Sequence, residues 1–336
     1  MEILKKDTNI DFIGKRRVAF IISAIVLIIS VAALAVRGLN FGVDFTGGSL
    51  VEVGYADSVD VGEVRTTLEE AGFSDATVQY FGTTSDVLVR LPIGESQQTA
   101  EISNEVMQAL RAPYGERLDE EALQDSVQQC VSGGSTTNCS VQMRRVEFVG
   151  PQVGEELTEK GTLAMLWALV GIMIYVGIRF LSWKFALGSV AALAHDVLIT
   201  IGLFALFQFE FSLPVLAAVL AVIGYSLNDT IVVFDRIREN LRKMRRRSSN
   251  ETLNASINQT LRRTLLTSLT TLIVVLTLLL IGGEVISGFA TALLIGVLVG
   301  TYSSIFVASP IVFMLGVSHK DFIPVEKEGA ELDALP

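Results

Sequence analysis

The sequence predicts a polytopic α-helical membrane protein with six transmembrane helices. One external α+β domain of ferredoxin-like βαββαβ order sits between the first two. Three observations carry this. Of 336 residues, 50% are hydrophobic, and the mean hydropathy is positive at +0.51, which soluble domains rarely match. Six apolar runs approach membrane length, near 18–36, 162–180, 185–207, 213–234, 265–281 and 289–315. Basic residues gather in alternate connecting segments, and the short turns on the opposite side hold none.

The first span, 18–36, follows the basic cluster Lys15, Arg16 and Arg17 and carries Ala33 and Ala35, an arrangement a cleaved signal peptide also shows. Its apolar core of about 19 residues exceeds the 7–15 of a signal h-region, which favours an uncleaved anchor. Residues 1–17 are then a cytoplasmic N-terminus.

Residues 37–160 form the external domain. Leu50–Tyr55 alternates as a strand. Val61–Ala71 repeats Val61, Val64 and Leu68 at helical spacing before Gly72. Thr77–Gly82 and Val87–Pro92 are strands joined by a short polar turn. Thr99–Leu110 is a second helix and Val141–Gly150 a last strand. That order is the ferredoxin-like one. Arg111–Ser140 interrupts it as a polar, acidic insertion. It carries the two cysteines, Cys130 and Cys139, whose intervening glycine-rich loop suits a disulfide in an oxidising compartment. With no histidine in this domain, metal binding is not expected. Residues 38–160 hold 21 acids against 7 bases, so the overall charge of −10 is a local property of this domain.

Spans follow at 161–181, 185–207, 213–234, 264–282 and 287–315. The turns QFEFSLP and GGEVISG contain no Lys or Arg. The opposite side collects Arg179, Lys184, Arg236, Arg238, Arg242, Lys243, Arg262, Arg263 and Lys320. The positive-inside rule makes that side cytoplasmic and places both termini there. The basic run is explained by orientation and anionic lipid rather than by nucleic acid. Within the cytoplasmic segment 235–263, Leu253, Ile257 and Leu261 recur every four residues, which predicts an amphipathic helix along the membrane surface. The tail, 316–336, is too short and acidic to fold alone.

The apolar runs keep a few polar groups. Asp229 follows Asn228 in the second half of the fourth span, where an acid costs about 2.5–3.5 kcal/mol to insert. Such residues usually serve an ion or proton path. Asp196 follows His195 near the middle of the third span. Arg263 opens the fifth, at a depth that permits contact with Asp229. Burial and a guanidinium act oppositely on a carboxylate, the arrangement a proton-coupled site needs. A structural ion pair fixing helix register is the plainer alternative, and Asp196 is as well suited to a structural network. His195 reads as a packed or hydrogen-bonding residue rather than a relay, and since neighbours on a helix point about 100° apart it should not share a face with Asp196. Gly296 and Gly300 form a GxxxG pattern for close helix packing. Just outside the first span, FGVDFTGG places Gly42, Asp44, Gly47 and Gly48 in a turn-rich junction. Asp44 and Thr46 are expected to bond its backbone. No Walker loop, dinucleotide fingerprint, GxSxG or HExxH motif occurs, so neither a nucleotide-driven reaction nor an enzyme is indicated, and no cofactor is expected.

FGVDFTGG (41–48) and GYSLNDTIVVFDRIRENLRK (224–243) closely resemble the SecD/SecF family of bacterial protein-export membrane subunits. AHDV (194–197), LRRTLLTSLTT (261–271) and GTYSSIFVASP (300–310) fit the same family. The resemblance runs from about Phe12 to Leu315. It implies an RND-type six-span unit in the bacterial inner membrane, a SecF-type half that pairs with SecD as a heterodimer. It implies an accessory role at the SecY/SecE/SecG channel, pulling unfolded preprotein on the external face with the proton motive force. It places the family's essential intramembrane Asp at Asp229 and its Arg at Arg263, with a further Asp of the proton path on SecD. The cysteine-bearing insertion departs from the family pattern. The competing classes are an RND-type exporter of small molecules or lipids, which would need a second half, and an intramembrane aspartyl protease. The protease needs Asp196 and Asp229 paired at one depth.

Overall fold

The computed structural model describes residues 8–91, 99–119, 128–244 and 246–322. Among these, six helices are long and apolar enough to cross a membrane. The tail beyond 322, Lys5, Lys6, Arg245 and most of the insertion's acidic stretch lie outside the described residues.

Helix α1 (Arg16–Arg37) ends at Gly38, whose φ of +68° turns the chain. A two-residue strand β1 (Asn40–Phe41) and a single helical turn α2 (Val43–Thr46) lead into the external domain. There, β2 (Gly48–Tyr55), α3 (Val61–Glu70), β3 (Thr77–Phe81), β4 (Thr83–Leu91), α4 (Thr99–Arg111) and β8 (Val141–Val149) follow the expected order. The sheet is antiparallel in the order β3-β4-β2-β8. Period-two alternation sends Val51, Val53, Val87 and Val89 into a core with Val64, Leu68, Val106 and Leu110 of the two helices. Asp60 fixes the start of α3 by accepting from the Gly62 and Glu63 amides. One face of the sheet is thus packed under helices; the other faces the membrane.

The described parts of the insertion, 111–119 and 128–140, contain regular structure. Strands β5 (Arg117–Leu118), β6 (Gln129–Ser132) and β7 (Ser135–Asn138) make a second small sheet. A disulfide joins Cys130 to Cys139. Arg111 is buried, where desolvation holds its pKa below the usual value. Its Nε donates to the Val141 carbonyl at 2.9 Å and its Nη2 to Gln128 Oε1 at 2.6 Å, fastening the insertion to β8.

The membrane part is α5 (Pro151–Phe180), α6 (Trp183–Phe207), α7 (Leu213–Lys243), α8 (Ser249–Ile281) and α9 (Glu284–Ser303), with β9 (Glu210–Phe211) between α6 and α7. Helices α6, α7 and α9 are the most enclosed. On the outer helices, Ile21, Ile28, Trp167, Ile178, Ile273 and Leu280 stay exposed, as lipid-facing side chains must be. The sixth span is not one regular helix. Residues 304–308 form a π-turn before α10 (Ser309–Met314). Pro310, without an N–H, cannot return a bond to the preceding turn, and wider π bonding absorbs the break.

Two boundaries differ from the sequence reading. Helix α5 begins at Pro151, well outside the apolar run, because its first turns pack on α2. Segment 235–263 is not a surface-lying amphipathic helix. Helices α7 and α8 continue past the apolar runs and form its two arms, joined by a short turn with a capping box at Ser248 and Glu251. Leu253, Ile257 and Leu261 are buried against Ile237 and Leu241. At the centre, Asn240 Nδ2 donates to Ser256 Oγ at 2.9 Å and Gln259 Oε1 at 2.8 Å. Hydrophobic spacing alone does not say whether lipid or a second helix covers the stripe.

Candidate proton-coupling site

The sequence's two intramembrane acids lie in one polar seam between α6, α7, α8 and α9. Counting from the external helix ends at Phe207 and Leu213, Asp196 and Asp229 lie about 17 and 24 Å deep. Both are buried.

Asp196 is tightly held. Its Oδ2 accepts from Ser226 Oγ at 2.5 Å and from Ser303 Oγ at 2.7 Å. Its Oδ1 lies 2.9 Å from His195 Nδ1. The two neighbours therefore meet despite their angular offset. His195 Nε2 is 3.2 Å from Ser23 Oγ of α1, which in turn is 3.2 Å from Tyr302 Oη. Tyr302 donates to the Ala19 carbonyl at 2.9 Å. The histidine is the hydrogen-bonding residue of the two alternatives, part of a chain across three helices.

Asp229 is held loosely. Thr267 Oγ1 reaches its Oδ1 at 3.5 Å and Ser268 Oγ its Oδ2 at 3.4 Å, at the outer limit of a hydrogen bond. Ser268 also meets Thr301 Oγ1 at 2.7 Å. Among the described residues no ion pair within 4.0 Å joins Asp229 to Arg263. Helix α8 turns Thr264 and Ser268 inward and leaves Arg263 exposed. Burying hydroxyls costs far less than burying a guanidinium beside one carboxylate. Arg263 still stands one turn from the site, since Thr267 Oγ1 donates to its carbonyl at 3.0 Å. Asn228 is exposed on the outer surface of α7.

Close helix approach makes the seam. A methyl group added to Gly296 would overlap Val222 of α7, and one at Gly300 would press on Ser226 at 3.0 Å. These glycines bring Thr301 and Ser303 to the acids. Sequence reasoning missed Ser226, Thr267, Ser268 and Ser23 as ligands. Their signal was faint: hydroxyl residues spaced three or four apart on helices whose other residues are apolar. No hydrogen bond joins the two carboxylates, so the paired-acid geometry of a protease is not formed.

At the external ends, Thr46 Oγ1 donates to the Gly42 and Gly47 carbonyls. Asp44 does not bond this loop. Its Oδ2 accepts from the Leu213 amide at 2.8 Å, at the N-terminus of α7, where an acid suits the helix dipole. Gly47, with φ of +74°, and Gly48, with φ of +148°, hold conformations that disfavour a side chain. A Cβ at Gly48 would also meet the Leu91 carbonyl.

Residues 131–318 match the family described as "Protein export membrane protein SecD/SecF, C-terminal", and residues 32–59 match the "SecD/SecF GG Motif". The chain is 48% identical over 337 residues to the protein translocase subunit SecF of Vibrio alginolyticus, covering 100% of this chain and 99% of that one. It is 42% identical to the SecF of Escherichia coli O157:H7, covering 96% and 93%. Its fold is similar to the crystal structure of SecDF, a translocon-associated membrane protein from Thermus thermophilus, with a TM-score of 0.74 and 35% identity. That match covers 93% of this chain and 39% of the longer SecDF chain. Against SecDF in its super-membrane-facing form the TM-score is 0.66.

Proposed function

This chain belongs to the SecD/SecF family of protein-export membrane proteins, and from that premise we propose that Asp229 is the proton-exchanging group of its membrane unit. The chain is a multi-pass inner-membrane protein and an accessory subunit of the Sec translocase. The observation that carries the proton reading is the contrast between the two acids. Asp196 has three short contacts that fix it. Asp229 has two hydroxyls at 3.4 and 3.5 Å and an exposed arginine one turn away. A carboxylate that must alternate between protonated and ionised forms needs partners that serve both forms, and hydroxyls do. Asp196 and His195 then order the neighbouring helices, and Arg263 stabilises the ionised state of Asp229. A charge moved through 100 mV releases about 2.3 kcal/mol, enough to shift a helix between two packings.

The partner is a second six-span subunit of SecD type, acting beside the SecY/SecE/SecG channel on unfolded preprotein at the external face. Support comes from α7, where Ala217, Ala221, Gly224 and Asn228 form an exposed stripe of small residues spaced by three and four. Such a stripe suits close contact with another helix. Both termini lie in the cytoplasm, following the basic loops.

The test is gradient-dependent export in membrane vesicles that carry the complex. Asp229→Asn is expected to abolish the gradient-dependent component while the protein still assembles. Full gradient-dependent export by that variant would sink the reading.

A further inference from the structure

Although β3 approaches α9, part of the membrane-facing side of the external sheet stands away from the helices. A cavity of about 600 Å³ lies between them, walled above by Leu50, Glu52, Leu88 and Arg90 and below by Phe209 and Pro214. At one edge of this cavity the domain meets the segment that leads into α7. There Arg90, on β4, forms an ion pair with Glu210, on β9. Three residues later α7 begins, and Asp44 caps its first amide. Strand β9 pairs with β1 in parallel, Asn40 opposite Glu210 and Phe41 opposite Phe211, and the Gly42 amide donates to the Phe211 carbonyl at 2.9 Å.

The glycines of this junction are shaped around that contact. A side chain at Gly42 would collide with the Glu210 carboxylate, and one at Gly48 with the carbonyl beside Arg90. Gly154 of α5 likewise leaves room for the Phe45 carbonyl. The sequence pattern that looked like a turn therefore holds three parts in register: the sheet, the loop before α7, and the α7 N-terminus.

We propose that Asp44 and the Arg90–Glu210 pair are the positioning residues that transmit movement between α7 and the external domain. The inference rests on the reading that Asp229, on α7, exchanges protons. When α7 shifts, Asp44 and Glu210 move with its N-terminus, and Arg90 carries the displacement into the sheet. The cavity leaves the sheet room to move beside the place where β3 approaches α9. Two charges at an edge hold direction better than an apolar contact of the same size, because both partners are fixed by the strands they sit on.

The test uses the full complex in membrane vesicles, reading gradient-dependent export beside the amount and melting temperature of the assembled protein. Arg90→Glu and Glu210→Arg are each expected to lower that export by roughly tenfold, within the usual range of coupling energies. The double charge swap is expected to restore it. Asp44→Asn keeps an acceptor for the Leu213 amide and should retain export, whereas Asp44→Leu should not. Unchanged export in both single charge variants, or no recovery in the swap, would overturn the proposal. Asp229→Asn, run in parallel, separates the two ideas. If it abolishes export while Arg90→Glu does not, the transmission fails and the proton site stands. If it has no effect, the proton reading fails first.

Discussion

Replacing Gly296 with alanine tests whether the polar seam depends on the close approach of α9 to α7. The added methyl group would overlap both γ-carbons of Val222. Alanine in a helix interior gains about 1 kcal/mol over glycine. Overpacking a filled site costs about 1–3 kcal/mol. The collision meets a branched side chain whose Val222 backbone is fixed within a helix, so the upper part of that range applies, and a net loss near 1–2 kcal/mol is expected. Removing the obstruction should shrink the effect. In a Val222→Ala background both γ-carbons are gone and only the Cβ stays close, at 2.9 Å, so Gly296→Ala should be near neutral, giving a coupling of about 1–2 kcal/mol between the two positions. The assay is a double-mutant cycle of melting temperatures for the purified protein, with export measured on the same four variants. Export should fall with Gly296→Ala, because separating the helices carries Thr301 from Ser268 and Ser303 from Asp196. Additive effects of the two substitutions on stability would refute the packing argument.

Other perturbations address the cytoplasmic and external ends. Asn254 accepts from the Phe12 and Ile13 amides at 2.9 and 3.0 Å and donates to Asp11 Oδ1 at 2.8 Å. Asn254→Ala should release this N-terminal segment at a cost of about 1–3 kcal/mol, read as faster amide exchange at residues 12 and 13. Cys130→Ser with Cys139→Ser should loosen the insertion by about 2–3 kcal/mol, the loop-closure contribution, visible as earlier proteolysis near 130–140 with the main sheet intact. Lys184 Nζ binds both Asp321 oxygens at 2.9 Å. Burial pushes the Asp321 carboxyl upward, but Lys184 and the Ser318 amide outweigh it and hold its pKa below 3.8. The contact therefore stabilises the tail fully above pH 3.8 and fails as pH drops through the lower folded value. Protease protection of residues 318–322 should follow that course, and Lys184→Met should remove both the protection and its acid transition.

The spans and the external domain were legible because each rests on periodicity. Alternating valines in β2 and β4 and long uncharged runs in the membrane leave few alternatives. The order of the sheet followed from the order of the elements. What stayed hidden depended on which neighbour covers a face. Leu253, Ile257 and Leu261 have the same spacing whether they meet lipid or α7. The expected contact of Asp229 with Arg263 was drawn from depth alone, and depth does not fix rotation; α8 is turned so that Ser268 faces the acid instead. Asp44 was legible as a residue of a turn, but its partner lies on another helix, 169 positions away. The Arg90–Glu210 contact had no local signal at all, since neither residue lies in an unusual pattern.

The hydroxyl groups explain how one seam can be both buried and changeable. An unmet donor in an apolar interior costs about 1–3 kcal/mol, so a fixed network resists rearrangement. Several hydroxyls here have a second acceptor within their own helix. Thr267 reaches the Arg263 and Thr264 carbonyls at 3.0 and 2.9 Å as well as Asp229. Thr301 reaches the Val297 carbonyl at 2.6 Å as well as Ser268, and Ser303 reaches the Gly300 carbonyl at 3.2 Å as well as Asp196. Were a proton to arrive on Asp229, as proposed, a hydroxyl turning away from it would still have a backbone carbonyl to bond. The protonated acid needs an acceptor in turn, and a hydroxyl whose own proton points to the backbone offers its lone pairs. Both charge states of the acid can thus be satisfied by rotating side chains about one bond. A lysine or arginine in the same position would donate in both states and would favour the ionised one throughout. Serine and threonine lining with arginine held one turn away would let Asp229 change state, as the proposed proton exchange requires, without unfolding its surroundings.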